Sequence, residues 1–313
     1  MTVLNTQHGT PILVCSNCAV EKFVSHYTLL TGRGCPATMK VLSWNVDGTF
    51  PPQGSPAQIT NQIRWLDSLE TQPELLLLQE VNPNRRDLWQ ELLTDQLGYE
   101  TVRDTLDIAV EQGNSNGHIT AIQSELDLLE TTTGIELNET TTRTESDRST
   151  AYPEKLLVTG IEYGNTTIEV WNVRAVPGSS YPEEKLTILE LAYEYIEEAD
   201  EKLRILAGDL NTPQRELADG QAITYGYQRD ADLQQRGVTA ELKILKGLGH
   251  FGMIDVFRAQ HGYGDIDSLS VSHDGRRIDH LFASEDLSPA DCWYSETGAT
   301  HSDHAPVLAV FDI

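Results

Sequence analysis

Asp209 and Asn211 stand two residues apart, at the end of the apolar run Ile205-Leu206-Ala207-Gly208 and just ahead of the chain-breaking Pro213. Two apart on a strand, they point to the same side. That sets an anionic and a neutral oxygen group side by side, a cradle for a hard cation and the oxygens bound to it. The plainer reading is a strand-end turn with an Asx cap. Further residues of the same kind recur: Asn45 and Asp47 in Ser43-Trp44-Asn45-Val46-Asp47-Gly48, and Glu80 closing Leu75-Leu76-Leu77-Leu78-Gln79-Glu80-Val81. Asp279 follows Arg276-Arg277-Ile278, and Asp303-His304 precede Ala305-Pro306. A carboxylate closing an apolar strand is costly to bury unpaired, and no cationic neighbour in sequence accompanies Glu80, so a divalent metal suits it. An Asp–His couple is a standard way to orient and polarise an imidazole, and Asp279 is a candidate partner for His304.

These residues need elements that carry them to one place. Lys40–Gly48 reads as a strand stopped by Gly48 and Pro51-Pro52. Ser55-Pro56 opens a helix that turns Ile59, Ile63, Leu66 and Leu69 inward. The run from Leu75 to Val81 is apolar on both faces, hence a central strand. A helix over about 85–97 follows, then strands near 99–111, 117–123 and 126–130. Thr131–Ser149 reads as a flexible hairpin or loop. Leu156–Glu162 and Thr167–Val173 flank Tyr163-Gly164-Asn165, a hairpin signal. Tyr181–Asp200 is an amphipathic helix, and the Asp209 strand comes next. Residues 213–238 read as a surface insertion, and Thr239–Leu248 as a short helix. Met253–Arg258, Arg277–Ala283 and Val307–Phe311 are the last strands. The pattern predicts two packed sheets flanked by helices in a single core over 39–313.

Residues 1–38 differ. They hold Cys15, Cys18 and Cys35 together with His26, a possible but weakly signalled zinc set. Met39 stands directly before the first convincing strand, so 1–38 is read as an extension of uncertain order. With the fourth cysteine at position 292, the chain has no disulfide scaffold for its length. No apolar run reaches the roughly 20 residues that span a bilayer, and no secretory signal is evident. The expectation is a reduced, cytoplasmic monomer that does not engage membranes.

The 313 residues carry 22 basic and 48 acidic side chains, a formal charge of −26. This argues against a broad basic face for nucleic acid while leaving room for a local cationic groove. It also suits a surface tuned to concentrated salt, where repulsion is screened within about 3 Å at ~1 M.

Taken together, five segments resemble the endonuclease/exonuclease/phosphatase superfamily, in its order: Ser43–Gly48, Leu78-Gln79-Glu80, Gly208-Asp209-Leu210-Asn211, Arg277-Ile278-Asp279-His280 and Ser302-Asp303-His304-Ala305-Pro306. Asp47-Gly48 and Gly252–Arg258 look most like the exonuclease III and apurinic endonuclease branch. The resemblance implies a four-layer α/β sandwich and Mg²⁺- or Mn²⁺-dependent hydrolysis of phosphoester bonds. It implies that Glu80 holds the metal, with Asn45, Asp47 and Asp303 beside it. Asp209 would orient or activate the attacking water, Asn211 hold a phosphate oxygen, and His304, polarised by Asp279, contact the phosphate.

One departure stands out. Where the family carries His or Tyr, this chain has Arg174, in Trp171-Asn172-Val173-Arg174. Arginine stays protonated and cannot pass a proton to a leaving group, but it can clamp phosphate. Arg174 and Asn172 are therefore expected to bind phosphate, helped in brine by Arg276 and Arg277. The expected function is DNA endonuclease or exonuclease, as in DNA repair, with DNA as partner. The alternatives are a phosphatase for a small phosphorylated metabolite or lipid headgroup, and an inactive binding module that keeps the fold.

Overall fold

The computed structural model describes residues 2–5, 11–14, 38–49, 52–141, 148–198, 202–217, 219–225, 231–263 and 271–313. The chain divides into two compact units, Met1–Ala37 and Thr38–Ile313. In the first, β1 (Thr2–Asn5) and β2 (Pro11–Val14) pair as an antiparallel hairpin. The cysteines of this segment and His26 lie outside the described residues.

The second unit begins with β3 (Thr38–Asn45), α1 (Pro56–Asp67), β4 (Leu75–Val81), α2 (Arg86–Glu91), β5 (Thr101–Asp104), α3 (Leu106–Glu111) and β6 (Gly117–Ile122). It continues with β7 (Asp127–Thr133), α4 (Gly134–Thr141), β8 (Leu156–Tyr163), β9 (Thr166–Val173), α5 (Pro182–Glu198) and β10 (Leu203–Asp209). Then come β11 (Arg215–Glu216), β12 (Ala222–Ile223), α6 (Ala231–Leu245), β13 (Met253–Asp255), α7 (Val256–His261), β14 (Asp279–Ser284), β15 (Pro289–Tyr294) and β16 (Val307–Asp312). Two six-stranded sheets result, in the orders β15-β16-β3-β4-β6-β5 and β13-β14-β10-β9-β8-β7. Both are mixed, because β3 runs parallel to β4 and β9 parallel to β10. Among the described residues, no helix is long and apolar enough to cross a membrane.

Strand alternation builds the layers. Val41, Leu75, Leu77, Ile168, Val170, Ile205, Ala207, Leu281 and Ala283 meet in one buried cluster between the sheets. Their sequence neighbours point outward. Leu42, Trp44, Leu76 and Leu78 pack under α1 and α2 with Ile59, Ile63, Leu66 and Trp89. Trp171, Val173, Leu206 and Phe282 pack under α5 and α6 with Leu189, Ala192 and Ile244. This is the expected four-layer sandwich, and period-two patterning accounts for it.

α1 starts as its sequence predicts: Ser55 caps the helix by accepting from Gln58 N at 3.3 Å, with Pro56 in the first turn. Elsewhere local chemistry overrides the apolar pattern. The strand expected over 99–111 ends at Asp104, whose carboxylate accepts from Leu106 N at 3.0 Å and turns the chain into α3. The loop expected after 131 contains α4, opened by a capping box in which Glu136 accepts from Thr133 N at 2.8 Å. α6 begins at Ala231, inside the stretch expected to be an insertion. The edge strand β15 was not anticipated: it starts on a proline and buries only Cys292 and Tyr294 fully.

One close approach is decisive for the site. Gly208 sits at φ +144°, and a Cβ there would lie 1.9 Å from the Val173 carbonyl oxygen. Only glycine lets the ends of β9 and β10 meet so tightly, and Ala175 N then donates to Asp209 O at 2.9 Å. Gly208→Ala is expected to destabilise the protein by at least about 2 kcal/mol, read as a lower midpoint of denaturant unfolding at unchanged slope.

Candidate active site

The inter-sheet faces that begin apolar end polar, all at one end of the sandwich. Following the parity of each strand, Val41 leads to Asn45, Leu75 and Leu77 to Gln79, Val170 to Asn172, and Ala207 to Asp209. β14 runs antiparallel to β10 and places Asp279 opposite Asp209. Glu80 breaks the parity. It adopts φ +59°, and the pairing of β4 with β6 slips between Leu78 and Val81. This bulge turns Glu80 into the same opening as Gln79's neighbours.

The side chains form one connected cluster. Asn45 Nδ2 donates to Glu80 Oε1 at 3.1 Å and to Asp209 Oδ2 at 3.0 Å, and lies 3.5 Å from His304 Nε2. Asp209 accepts from the Asn211 backbone N at 2.9 Å and from Asn211 Nδ2 at 3.1 Å. Asn211 Nδ2 also donates to Ala175 O at 2.8 Å, which fixes its amide. Asp279 Oδ2 lies 2.7 Å from His304 Nδ1. Arg174 Nη2 is paired with Glu80 Oε1, and Arg174 Nε lies 3.6 Å from Asp209 Oδ2. Asp47 and Asp303 stand at the rim, half-buried and exposed respectively.

The loops around the cluster are pinned from behind. Gln62 of α1 donates to Val46 O at 2.8 Å and His301 O at 3.0 Å, tying together the loops that carry Asp47 and His304. Trp44 Nε1 donates to His304 O at 2.9 Å. Ser272 Oγ accepts from Ile278 N at 2.9 Å and Asp279 N at 3.0 Å, and Tyr294 OH donates to Asp279 O at 2.6 Å. A chain of residues that motif reading missed holds Glu80. Buried Lys155 donates to Asn116, Asn116 Nδ2 donates to Thr49 Oγ1 at 2.8 Å, and Thr49 donates to Glu80 Oε2. His273, also missed, stacks on His304 with ring centroids 4.3 Å apart. None of these has a periodic or motif signal; Asn116 merely precedes a strand.

Two expected phosphate ligands lie elsewhere. Asn172 is 0% exposed; it donates to Ile119 O at 2.9 Å and Leu78 O at 3.3 Å and accepts from Gln79 Nε2 at 2.8 Å. Its amide stitches the two sheets together behind the opening and has no group left for phosphate. Arg277 is buried too, locked to Glu216 and Asp255. Arg276 stays partly exposed and donates to Tyr225 OH.

Burial and charge set the protonation states. Burial pushes Asp209 up to about 6, against the pull of His304 and Arg174. Burial would also raise Glu80, but the Arg174 guanidinium and the hydrogen bonds from Thr49 and Asn45 hold it down at about 2. His304 would be lowered by burial, yet Asp279, Asp209 and Asp303 raise it to about 10. Asp47 is raised to about 6 by burial and by the nearby charges of Asp303 and Glu80.

That last shift bears on a metal. Asp47, Glu80 and Asp303 are close enough to repel, and a cation among them would relieve the repulsion. Their carboxylates and the amide of Asn45 are hard oxygen donors, the class that suits Mg²⁺ or Mn²⁺. Among the described residues, two His/Asp groups already converge: Asp209 with Asp279 and His304, and His273 with Asp303 and His304. The first is held together by the hydrogen bond between Asp279 and His304. In the second the stacked rings lie 18° from parallel, so their in-plane lone pairs run side by side instead of meeting at one ion. The oxygen set is the better fit.

Because the folded-state pKa of His304 lies above the ordinary value of about 6.5, the protonated ring stabilises the fold fully below that pH, and this is lost as pH rises through about 10. By NMR the His304 ring is expected to stay protonated from pH 6 to 8. Asp279→Asn should bring its titration down towards neutrality. A ring that already titrates near 6.5 in the unaltered protein would contradict this electrostatic picture.

Comparison with known proteins agrees with the architecture. Residues 42–304 match the model of the endonuclease/exonuclease/phosphatase family. No curated protein matches the chain in sequence. Among solved structures, TDP2 from D. rerio complexed with single-strand DNA product superposes with a TM-score of 0.57 at 17% identity, covering 88% of this chain and 100% of that one. AP endonuclease LMAP from Leishmania major gives a TM-score of 0.57 at 18% identity, covering 88% of each chain. An endonuclease/exonuclease/phosphatase from Beutenbergia cavernae gives 0.55 at 19%, covering 88% and 72%. With most of its length and its whole polar cluster inside the matched span, the chain belongs to the endonuclease/exonuclease/phosphatase family.

Proposed function

We propose that the protein is a divalent-metal-dependent phosphodiesterase that hydrolyses nucleic acid, DNA foremost. The observation that carries this reading is the convergence of Asn45, Glu80, Asp209, Asn211, Asp279 and His304 at one end of the two facing sheets. Two structural neighbours support it: TDP2 complexed with single-strand DNA product, and an AP endonuclease.

Glu80, Asn45, Asp47 and Asp303 would hold the Mg²⁺ or Mn²⁺. Bound there, the ion would neutralise charge on the phosphoryl oxygens and polarise the phosphorus towards attack. Asp209, raised to about 6, is deprotonated at neutral pH yet basic enough to draw a proton from water. Asn211 donates to both carboxylate oxygens of Asp209 and so holds its orientation; with Nδ2 also on Ala175 O, the amide hydrogens expected to hold a phosphate oxygen are already engaged. His304, protonated and aimed by Asp279 through Nδ1, keeps Nε2, 3.5 Å from Asn45 Nδ2, as a cationic donor for a phosphoryl oxygen. Arg174 cannot protonate the leaving oxygen, so that proton would come from water or another group of the cluster.

A second reading is favoured by the net charge of −26, which opposes approach of a long polyanion at low salt. It is a phosphatase for a small phosphorylated metabolite, using the same side chains. Turnover of plasmid DNA, an abasic oligonucleotide and an inositol phosphate, with Mg²⁺ or Mn²⁺ at low and multimolar KCl, separates the two. DNA cleavage that survives multimolar KCl supports the nuclease reading; release of phosphate from the inositol compound alone supports the phosphatase. On the substrate that is turned over, Asp209→Asn and His304→Ala should each reduce the rate by roughly 10³-fold. Activity within tenfold of the unaltered protein would remove that residue from the mechanism.

A further inference from the structure

Arg174 stands where the family resemblance implies His or Tyr, and the structure gives it an occupation. It follows β9 directly, and its backbone N donates to Lys155 O at 3.1 Å. Its side chain is 9% exposed and lies between the carboxylates of Glu80, 14% exposed, and Asp209, 1% exposed. Two carboxylates withdrawn from water and joined through the Asn45 amide repel each other unless a cation lies between them. The guanidinium is that cation in the described structure, and it cannot discharge.

We infer that Arg174 is a tethered counter-cation: it keeps Glu80 and Asp209 assembled without metal, and it competes with the divalent ion for Glu80. This rests on the reading of Glu80 as a metal ligand. Arg174 is thus a positioning residue rather than a group that reacts. The arrangement has two opposed consequences. The metal-free site is already formed, because its repulsion is neutralised from within the chain. The same positive charge lowers the affinity of a second cation at the same carboxylate, by like-charge repulsion and by occupying Glu80 Oε1. A side chain that served only to fill space would give the first effect through packing but not the second.

The experiment measures Mn²⁺ binding to the full chain by titration calorimetry and by the free Mn²⁺ spin signal, for the unaltered protein and Arg174→Gln. Melting temperatures are taken with and without Mn²⁺. Arg174→Gln is expected to bind Mn²⁺ on the order of tenfold more tightly or better. It should melt several degrees lower without metal and recover more on adding Mn²⁺ than the unaltered protein gains. Arg174→Lys, which keeps a positive charge, should stay within about threefold of the unaltered affinity. Equal or weaker Mn²⁺ binding by Arg174→Gln overturns the inference and leaves the metal reading of Glu80 intact. Absence of Mn²⁺ binding in every form overturns the metal reading and the inference with it. Should Arg174→Gln not fold even with Mn²⁺, Arg174→Met, which keeps an unbranched chain without charge or a metal-binding nitrogen, decides by the same affinity comparison.

Discussion

Charge withdrawn from water between two sheets is the constraint around which this fold is arranged. Asp209 is almost completely buried, and Glu80 keeps only a small exposed edge at the opening. Each carboxylate must therefore meet a positive or hydrogen-bonding group brought from another strand. Arg174 comes from the end of β9, Asn45 from β3, and His304 from the loop before β16. None of these lies near Asp209 in sequence, so the cluster forms only once both sheets and their packing exist. Its polar interactions and its tertiary structure stand or fall together.

The apolar frame and the polar cluster are one pattern read at two ends. Along β3, β9 and β10 the same inward parity carries valine, isoleucine and alanine for most of the strand and an amide or carboxylate at its last position. The core packs through the first part; on β3 and β10 the last inward residue reaches the polar cluster, and on β9 Asn172 cross-links the sheets just behind it. The outward parity meanwhile anchors the helices through Trp44 and Trp171, both buried. Helix α1 contributes twice, packing under the sheet with Ile59 and Ile63 and clasping two site loops with Gln62.

This explains what could be read in the chain beforehand. Strand-end residues such as Asn45, Asp209 and Asp279 were legible, because parity and an apolar run decide which way they face. The pairing of Asp279 with His304 was suggested by their types, and the structure supplies the distance. What was not legible depends on contacts between segments far apart in sequence. The support of Glu80 by Thr49, Asn116 and Lys155 joins three loops that share no motif. Asn172 looked like a site residue by its neighbours in sequence, but it sits one layer deeper, where the sheets cross-link. Arg277 looked free, and it is taken by Asp255 and Glu216. α3 and α4 were hidden for a different reason: single capping groups, Asp104 and Glu136, redirect the backbone against a weak apolar pattern.

The bulge at Glu80 couples two properties that are usually separate. Its left-handed backbone and the slipped pairing of β4 against β6 occupy the same residue. An in-register β4 would send this carboxylate to the helix-covered side, where Leu76 and Leu78 point, and leave Arg174 without it. The alignment of one strand with its neighbour is thereby readable from the occupancy of a charge site at its end. Selection for a carboxylate in the opening acts, through this one residue, as selection for strand register.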